Sequence, residues 1–225
     1  VFQKIFIEMG LSNAWERVVG IVVQPGVEFG DAEIFPYNRE KALELTQSMK
    51  AMPQFILEGH STDYQTAQSL REMVEDGIAI LKVGPALTFA YREALLAMEE
   101  IEKELLSGQG IFLSDLRQTL EYSMLERPEN WKKHYHGDGN KVKLARMFSF
   151  SDRARYYLPV PRVEEAVARL RSNLADIEIP VTLLSQYLPV QYTRVRNGLL
   201  ANRVDDLLID HIGDAIDDYL YATMG

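Results

Sequence analysis

Four short apolar segments are the feature that most restricts how this chain can fold. They are rich in Val, Ile and Leu, and each is bounded by Gly, Pro or polar residues. They comprise residues 18–23, 55–58, 78–83 and 181–185. Nearly continuous apolar runs of this length are typical of strands in a parallel sheet that helices cover on both faces. The sequence therefore predicts four buried, parallel strands.

Helical patterns alternate with these strands. The second of them begins with a capping-box pattern, in which Thr62 precedes Gln65 by three residues. Alternation of strand and helix is the pattern of a barrel or a doubly wound sheet. The predicted helices that follow the strands cover residues 40–50, 64–75, 88–106 and 201–223.

A (β/α)8 TIM barrel contains eight such units, and four make half of one. We therefore expect an α/β chain that covers strands 5–8 of a barrel. Nearly a hundred residues separate the third and fourth predicted strands, which indicates a helical insertion, at about 107–160, before the last strand. Further helices are predicted at 113–126, 128–135 and 162–174, with a turn-rich loop at 136–140.

The start of the chain fits this interpretation. The first residue is Val1 rather than an initiator methionine, and the sequence opens directly in a helical pattern with Phe2 and Phe6 four residues apart. We expect missing sequence before Val1. Residues 1–225 are then the C-terminal part of a single barrel domain whose N-terminal half is absent from this chain.

Charge and composition exclude several functions. The net charge is −9, which argues against binding to nucleic acid or to an anionic membrane surface. The absence of cysteine excludes disulfides and thiolate zinc sites. No apolar run of about 20 residues and no signal peptide is present, so we expect a cytoplasmic protein.

The ends of the predicted strands carry the candidate chemistry, because barrel active sites lie at the C-terminal ends of the strands. Glu58 and His60 are two residues apart and so share a face of the strand. A carboxylate beside an imidazole suits either a divalent metal (Zn, Mg or Mn) or an acid–base pair. The alternative is a solvated turn with His60 bonded to the backbone. The capping box explains Thr62 and Asp63 as helix caps.

Lys82 is the second candidate. It shares a face with Ile78 and Ile80 in a strand predicted to be buried, where an unpaired ammonium is costly. At a barrel mouth, lysine can bind a sugar phosphate, neutralise an enediolate or form a Schiff base. The alternative is a lysine whose stem lies on apolar surface while its ammonium reaches water. Glu28, in a loop, is a weaker candidate.

Phosphate binding requires backbone N–H groups and positive charge, often in the loops after barrel strands seven and eight. The arginines of the long insertion can supply the charge, although surface ion pairs explain them equally well. The candidate phosphate- and substrate-binding residues are Gly84, Thr88, Arg153, Arg155, Ser185, Gln186 and Tyr187. The chain lacks the GxxxxGK[ST] and GxGxxG motifs, and we expect no nucleotide cofactor.

Several long segments resemble the GatZ/KbaZ family, the accessory subunits of tagatose-1,6-bisphosphate aldolase. They span essentially the whole chain. These segments are 15–19 (WERVV), 22–29 (VVQPGVEF), 58–66 (EGHSTDYQT), 79–90 (AILKVGPALTFA), 131–133 (WKK), 151–157 (SDRARYY) and 185–189 (SQYLP). Family members are roughly twice as long, which agrees with the expected missing half.

The resemblance implies a role in tagatose 6-phosphate and galactitol-type catabolism. Members are described as partners that keep the catalytic aldolase subunit stable and fully active, and some relatives as D-tagatose-6-phosphate 4-epimerases. Members are also labelled tagatose-6-phosphate kinases, which the missing phosphate loop does not support. The expected partners are the catalytic aldolase subunit and a sugar phosphate, and homo-oligomerisation stays open.

One chemical step links the first two descriptions. In a 2-ketohexose phosphate, C4 is not adjacent to the carbonyl at C2, so enolisation cannot invert it. Breaking and re-forming the C3–C4 bond can invert C4, and the aldolase breaks the same bond. Both reactions need an electrophile for the enediolate and a base for the C4 hydroxyl. In this hypothesis Glu58 and His60 hold a metal or act as acid and base, Lys82 stabilises negative charge, and the Gly84 loop takes the phosphate.

Overall fold

The computed structural model describes residues 1–224, which divide into two compact units. The first unit contains Val1–Phe29, Ile34–Val83 and residues 218–224, and the second contains Gly30–Glu33 and Gly84–Asp217. Each unit has its own apolar core.

Within residues 1–224, all of the strands lie in the first unit. They are β1 (Gly20–Val23), β2 (Glu28–Phe29), β3 (Ile34–Phe35), β4 (Ile56–Gly59) and β5 (Ile78–Leu81). Strands β1, β4 and β5 form a parallel sheet in the order β1-β4-β5, whereas β2 and β3 pair antiparallel. Three of the four predicted parallel strands are therefore confirmed.

The helices agree with most of the predicted positions. The first unit contains α1 (Phe2–Glu8), α2 (Ser12–Trp15), α3 (Arg39–Ser48), a 3-10 turn at Met49–Ala51, and α4 (Ala67–Glu75). The second contains α5 (Pro85–Leu106), α6 (Leu116–Glu126), α7 (Gly139–Phe148), α8 (Pro161–Leu174), α9 (Val181–Tyr187), α10 (Pro189–Arg196) and most of α11 (Val204–Met224), with 3-10 turns at Pro128–Asn130 and Arg153–Tyr156.

Local capping explains where three of these helices begin. The side chains of Asn38, Thr66 and Asp138 accept hydrogen bonds from backbone N–H groups in the first turns of α3, α4 and α7. The predicted capping box at Thr62 was wrong, since α4 begins at Ala67 and its N-cap is Thr66. The hydroxyl of Thr62 instead donates to the carbonyl of Lys82, at 2.7 Å.

One face of the parallel sheet packs on the core of the first unit. Leu57 and Ile78 lie there against Leu70 and Met73 of α4, and all four are at most 1% exposed. Gly59 completes this face, because a Cβ there would lie 2.9 Å from the Ile78 side chain. Close packing of strand on helix therefore requires glycine at this position.

The opposite face of the sheet is exposed, contrary to the prediction of strands buried on both sides. Val22 is 56% exposed, and Ile56 and Ile80 are each 41% exposed. In the strand register Val22 is paired with Glu58, and Glu58 with Ile80. The exposed face therefore carries a mixed row of apolar and charged residues, whereas the core face is apolar.

The second unit is helical and has the larger core. Leu95, Met98 and Ile101 of α5 are at most 1% exposed, and they form one apolar cluster with residues of the helices α6 to α11. Among residues 1–224, no helix combines the length and apolarity needed to cross a membrane.

Two predicted elements are wrong, and a third is too long. Residues 181–185 form the helix α9 rather than a strand, since a short apolar run does not distinguish the two and only Leu184 of α9 is buried. Residues 128–135 contain a 3-10 turn at Pro128–Asn130 rather than a helix, and the predicted loop 136–140 ends in the first turn of α7.

Candidate functional site

Glu58 and His60 form a direct contact at the end of β4. The imidazole Nε2 lies 2.7 Å from the Glu58 carboxylate oxygen Oε1, and both side chains are about one-third exposed. The backbone N–H of His60 donates to the carbonyl of Val23 at the end of β1, at 2.9 Å. The pair is therefore fixed by the sheet while remaining open to solvent, as an acid–base pair requires.

Lys82 follows β5 at the same edge of the sheet. Its backbone N–H donates to the carbonyl of Gly59 at 2.9 Å, which continues the parallel pairing and sets Lys82 beside His60 in register. The side chain is exposed, and the ammonium makes no ion pair or hydrogen bond with any residue between 1 and 224. The predicted burial of Lys82 was therefore wrong.

A register shift between Leu57 and Glu58 changes which residues share a face with Lys82. Ile78 is paired with Leu57 and lies in the core, whereas Ile80 is paired with Glu58 on the exposed face. Lys82 thus shares a face with Ile80, as predicted, but not with Ile78. Such a β-bulge leaves no clear signature in an apolar run of four residues.

The loops after β1 and β4 are tied together beside this pair. The side-chain amide of Gln24 donates to the carboxylate of Glu28 and, at 3.0 Å, to the hydroxyl of Ser61. Ser61 has a φ of +57°, which holds the chain in a left-handed turn next to His60. Glu28, the weaker candidate, thus has a structural partner, and Gln24 and Ser61 were missed because isolated polar loop residues carry no pattern.

A second set of hydrogen bonds, inside the first unit, joins the segment after β4 to α11. Thr62 is fully buried, and Tyr219 of α11 donates its hydroxyl to the Thr62 carbonyl at 2.9 Å. Thr62 in turn donates to the carbonyl of Lys82. Burial raises the pKa of the Tyr219 phenol above its ordinary value, so the hydroxyl stays protonated and able to donate. Tyr219 was missed because it is far from the strand ends in sequence.

Gly84 and Thr88 belong to the second unit. Gly84 precedes the first turn of α5, as a phosphate loop would, but the hydroxyl of Thr88 is engaged. It donates to a carboxylate oxygen of Asp152 at 2.6 Å, and Asp152 also accepts from Arg92 at 2.8 Å. Thr88 is therefore part of a buried network in this structure.

Arg153 and Arg155 also lie in the second unit, and neither pairs with a carboxylate within residues 1–224. Arg155 donates to the carbonyls of Ser151 and Asp152, at 2.5 and 2.9 Å. Arg153 contacts the imidazole of His134 at 3.2 Å. Lost hydration and the charge of Arg153 lower the pKa of His134. The surface ion pairs that were the alternative explanation are not observed.

Ser185, Gln186 and Tyr187 do not follow a strand. They form the last turn of α9, with Ser185 and Gln186 exposed and Tyr187 packed against the core of the second unit. The prediction that these three residues lie in a loop at the C-terminal end of a fourth strand was therefore wrong.

The donor set at the strand ends is too small for a complete metal site. In the described part of the chain, no group of three or more His, Asp or Glu side chains is placed to hold a metal ion. A zinc site takes three or four protein ligands, and Glu58 with His60 supplies two. The geometry by itself supports acid–base chemistry at Glu58 and His60, with a free ammonium at Lys82.

Comparison with known proteins agrees with this architecture. The solved structure of a probable tagatose 6-phosphate kinase from Sinorhizobium meliloti 1021 is similar, with a TM-score of 0.93 and 44% sequence identity. The match covers 98% of this chain and 56% of that protein, so the chain spans little more than half of its relative. The profile of the D-tagatose-1,6-bisphosphate aldolase subunit GatZ/KbaZ-like family matches residues 1–224. This chain therefore belongs to the GatZ/KbaZ-like family.

Proposed function

We propose that this chain is part of an accessory subunit of a class II, metal-dependent tagatose-1,6-bisphosphate aldolase, acting in tagatose 6-phosphate and galactitol-type catabolism. The observation that carries the proposal is the family match over residues 1–224, since that family is described as an aldolase subunit. The partner is the catalytic subunit, whose stability and full activity depend on the complex.

The proposed fold of the whole domain is a (β/α)8 barrel, of which this chain contributes the later strands. The exposed face of the sheet supports this, because Val22, Ile56 and Ile80 would be buried if further strands closed the sheet into a barrel. The similar protein of greater length is also consistent with it. Glu58 and His60 would then lie at the mouth of that barrel.

A D-tagatose-6-phosphate 4-epimerase is the second candidate, and the Glu58–His60 contact favours it. An aligned carboxylate and imidazole beside an unpaired ammonium is more than a scaffold requires. In a His–carboxylate pair the carboxylate orients the ring through the hydrogen bond between them. His60 can therefore accept and return a proton, with Glu58 as its orienting group.

The epimerisation balances with these groups. His60 removes the proton of the C4 hydroxyl, the C3–C4 bond breaks, and C4 becomes an aldehyde carbon. The electron pair of the broken bond passes to the enediolate of the three-carbon fragment, whose negative charge Lys82 offsets. The aldehyde turns, the bond re-forms at its other face, and His60 returns the proton to the C4 oxygen.

A divalent metal is proposed as the electrophile that polarises the ketose oxygens. In the alternative to their acid–base role, Glu58 and His60 would supply two of its ligands, and the others would come from outside the described residues. The remaining substrate-binding roles, for Gly84, Thr88, Arg153, Arg155, Ser185, Gln186 and Tyr187, are proposals as well. The helix position of the last three makes them the weakest of the set.

The experiment uses the full-length protein that carries this chain, purified alone and with the catalytic aldolase subunit. One assay follows fructose 6-phosphate formation from D-tagatose 6-phosphate with Mg²⁺, Mn²⁺ or Zn²⁺, and another follows cleavage of tagatose 1,6-bisphosphate by the mixture. The accessory role predicts no turnover alone and a gain in aldolase activity on mixing. Absence of that gain rejects it.

Turnover by the protein alone would establish the epimerase. Lys82→Met and His60→Gln should then reduce kcat by about 100-fold or more, with unfolding free energies within about 0.5 kcal/mol of the native protein because both side chains are partly or fully exposed. Titration with ATP serves as a third arm, since the similar protein carries a kinase label. Saturable ATP binding with phosphate transfer would overturn both proposals.

A further inference from the structure

A cleft between α5, α6 and α7, within the second unit, is separate from the residues discussed above. Its volume is about 580 Å³, within the range of small-molecule sites. Its charged walls include Glu99 and Lys103 of α5, Arg117 of α6 and Lys143 of α7. No role in the proposed chemistry requires it.

The acids of the cleft are mostly satisfied within the protein. Glu99 is 1% exposed and accepts from the ammonium of Lys103 at 3.3 Å and from the backbone N–H of Arg117 at 3.2 Å. Glu121 pairs with Arg146 at 2.5 Å. Asp115 at the rim is the remaining acid, and it makes no ion pair within the described residues.

Two cations of the cleft are unpaired. The charged groups of Arg117 and Lys143 make no ion pair with any acid in the part of the chain that the structure describes. The guanidinium of Arg117 lies 5.3 Å from the ring centre of Phe148, which fixes its direction. The charged residues that line the cleft are three acids and three bases, which sum to zero. Arg117 and Lys143 are its two cations without an acidic partner, and together they can contact an anion.

An apolar stripe forms the other wall. Leu144, Met147 and Phe148 lie on one face of α7, at positions three and four residues apart, and all three line the cleft. Leu144 is 61% exposed and Phe148 45% exposed. Single exposed apolar residues are ordinary, but a stripe beside two unpaired cations is suited to a ligand with one apolar and one charged end.

We infer that this cleft binds a small organic anion with a flat, apolar body. The body lies against Leu144 and Phe148, and the anionic group is held by Arg117 and Lys143. A fully polar sugar phosphate would leave the apolar wall unused, and a neutral aromatic would leave the two cations unpaired. The site is independent of the chemistry at Glu58 and His60.

The test uses 1-anilinonaphthalene-8-sulfonate as the probe and the full-length protein, with binding followed by fluorescence. The neutral analogue N-phenyl-1-naphthylamine carries the same rings without the sulfonate. We expect saturable binding of the sulfonate at one site, about tenfold tighter than the neutral analogue, since a charge-assisted contact is worth about that factor. Equal affinity for the two probes would overturn the inference.

Variants locate the binding. Arg117→Gln and Lys143→Gln should each weaken the sulfonate about tenfold and leave the neutral analogue unchanged. Arg162→Gln is the matched control, because Arg162 also lies over a ring, that of Tyr122, but is paired with Glu126 and lies outside the cleft. Sulfonate binding that is insensitive to the first two variants, or equally sensitive to the control, would place the probe elsewhere and reject the site.

Discussion

Two sets of charged residues, one in each unit, are held in opposite ways. In the second unit, Arg92 and Asp152 are at most 2% exposed and pair at 2.8 Å. In the first unit, Glu58 and His60 contact each other while about one-third exposed, and Lys82 is exposed without a partner among the described residues. Asp152, like Glu58, His60 and Lys82, lies in one of the segments that carry the family resemblance, so those segments alone did not separate the two sets.

The difference shows which polar residues are committed to structure. A buried ion pair whose hydrogen bonds are shared among several groups holds the fold in one arrangement, and removing one partner is costly. Polar side chains at strand ends that are partly exposed cost little to keep and can change partners. Asp152 and Thr88 belong to the first kind, although Thr88 was predicted to bind phosphate.

The largest expected effect is on the buried pair. Asp152→Asn keeps the size of the side chain and tolerates the left-handed backbone, where φ is +43°, but leaves the charge of Arg92 uncompensated. We expect a loss of about 3 kcal/mol in unfolding free energy. Urea unfolding followed by the fluorescence of Trp131, in the core of the second unit, measures it in a Trp15→Phe background.

The matched control is Asp205→Asn. Asp205 pairs with Arg171 at 2.7 Å, but both side chains are about half exposed, so the expected loss is below about 1 kcal/mol. Equal losses for the two variants would mean that burial does not distinguish these pairs, and the contrast between buried and exposed charges would fail.

The next effect concerns the packed side of the sheet in the first unit. Gly59→Ala sets a methyl group 2.9 Å from the side chain of Ile78 and 3.2 Å from that of Met73, and we expect a loss of about 1–3 kcal/mol. Trp15 reports on this unit in a Trp131→Phe background. Gly20→Ala, in β1 of the same unit, is the control, because an added Cβ there has no neighbour closer than 3.8 Å. If both alanines are tolerated equally, the sheet is not closely packed against α4.

The sequence predicted the parallel strands and most helices because each has a clear period or length. It failed at residues 181–185, where three apolar residues suit a strand or a helix equally; the segment is helical, and Leu184 is its buried residue. It missed α7, whose first turn lies in a segment rich in Gly and Asp that indicated a loop. Helix α7 depends on the cap from Asp138 and on the packing of Met147.

The candidate site was predictable where the strands were. Glu58 and His60 were placed together because residues two apart share a face, and the structure brings them into contact. The exposure of Lys82 was not predictable, since it depends on a bulge between β4 and β5 and on the open face of the sheet. The links through Thr62 and Tyr219 join residues 157 positions apart, a separation at which sequence patterns carry no information.

The smallest expected effect tests whether burial or pairing dominates at Glu99 in the second unit. Burial is the main cause that raises the pKa of this carboxyl above its usual value, while Lys103 and the backbone of Arg117 oppose the shift. A carboxyl whose pKa is higher in the folded state contributes most to stability below its unfolded pKa, and this contribution is lost as pH rises through the folded value. In Glu99→Gln the side chain cannot ionise, so this loss of stability with rising pH is absent.

The free energy of unfolding of Glu99→Gln, relative to the native protein, should therefore increase as pH rises from 4 to 7. A change of about 1 kcal/mol corresponds to roughly 2–4 °C in Tm for a chain of this size, so thermal unfolding at several pH values resolves it. Glu100→Gln is the control, because it removes a partly exposed partner of Lys103 without removing a buried carboxyl. A relative stability that instead falls with rising pH would mean that the Lys103 pair outweighs burial, and that even buried acids of the second unit are held mainly by their partners.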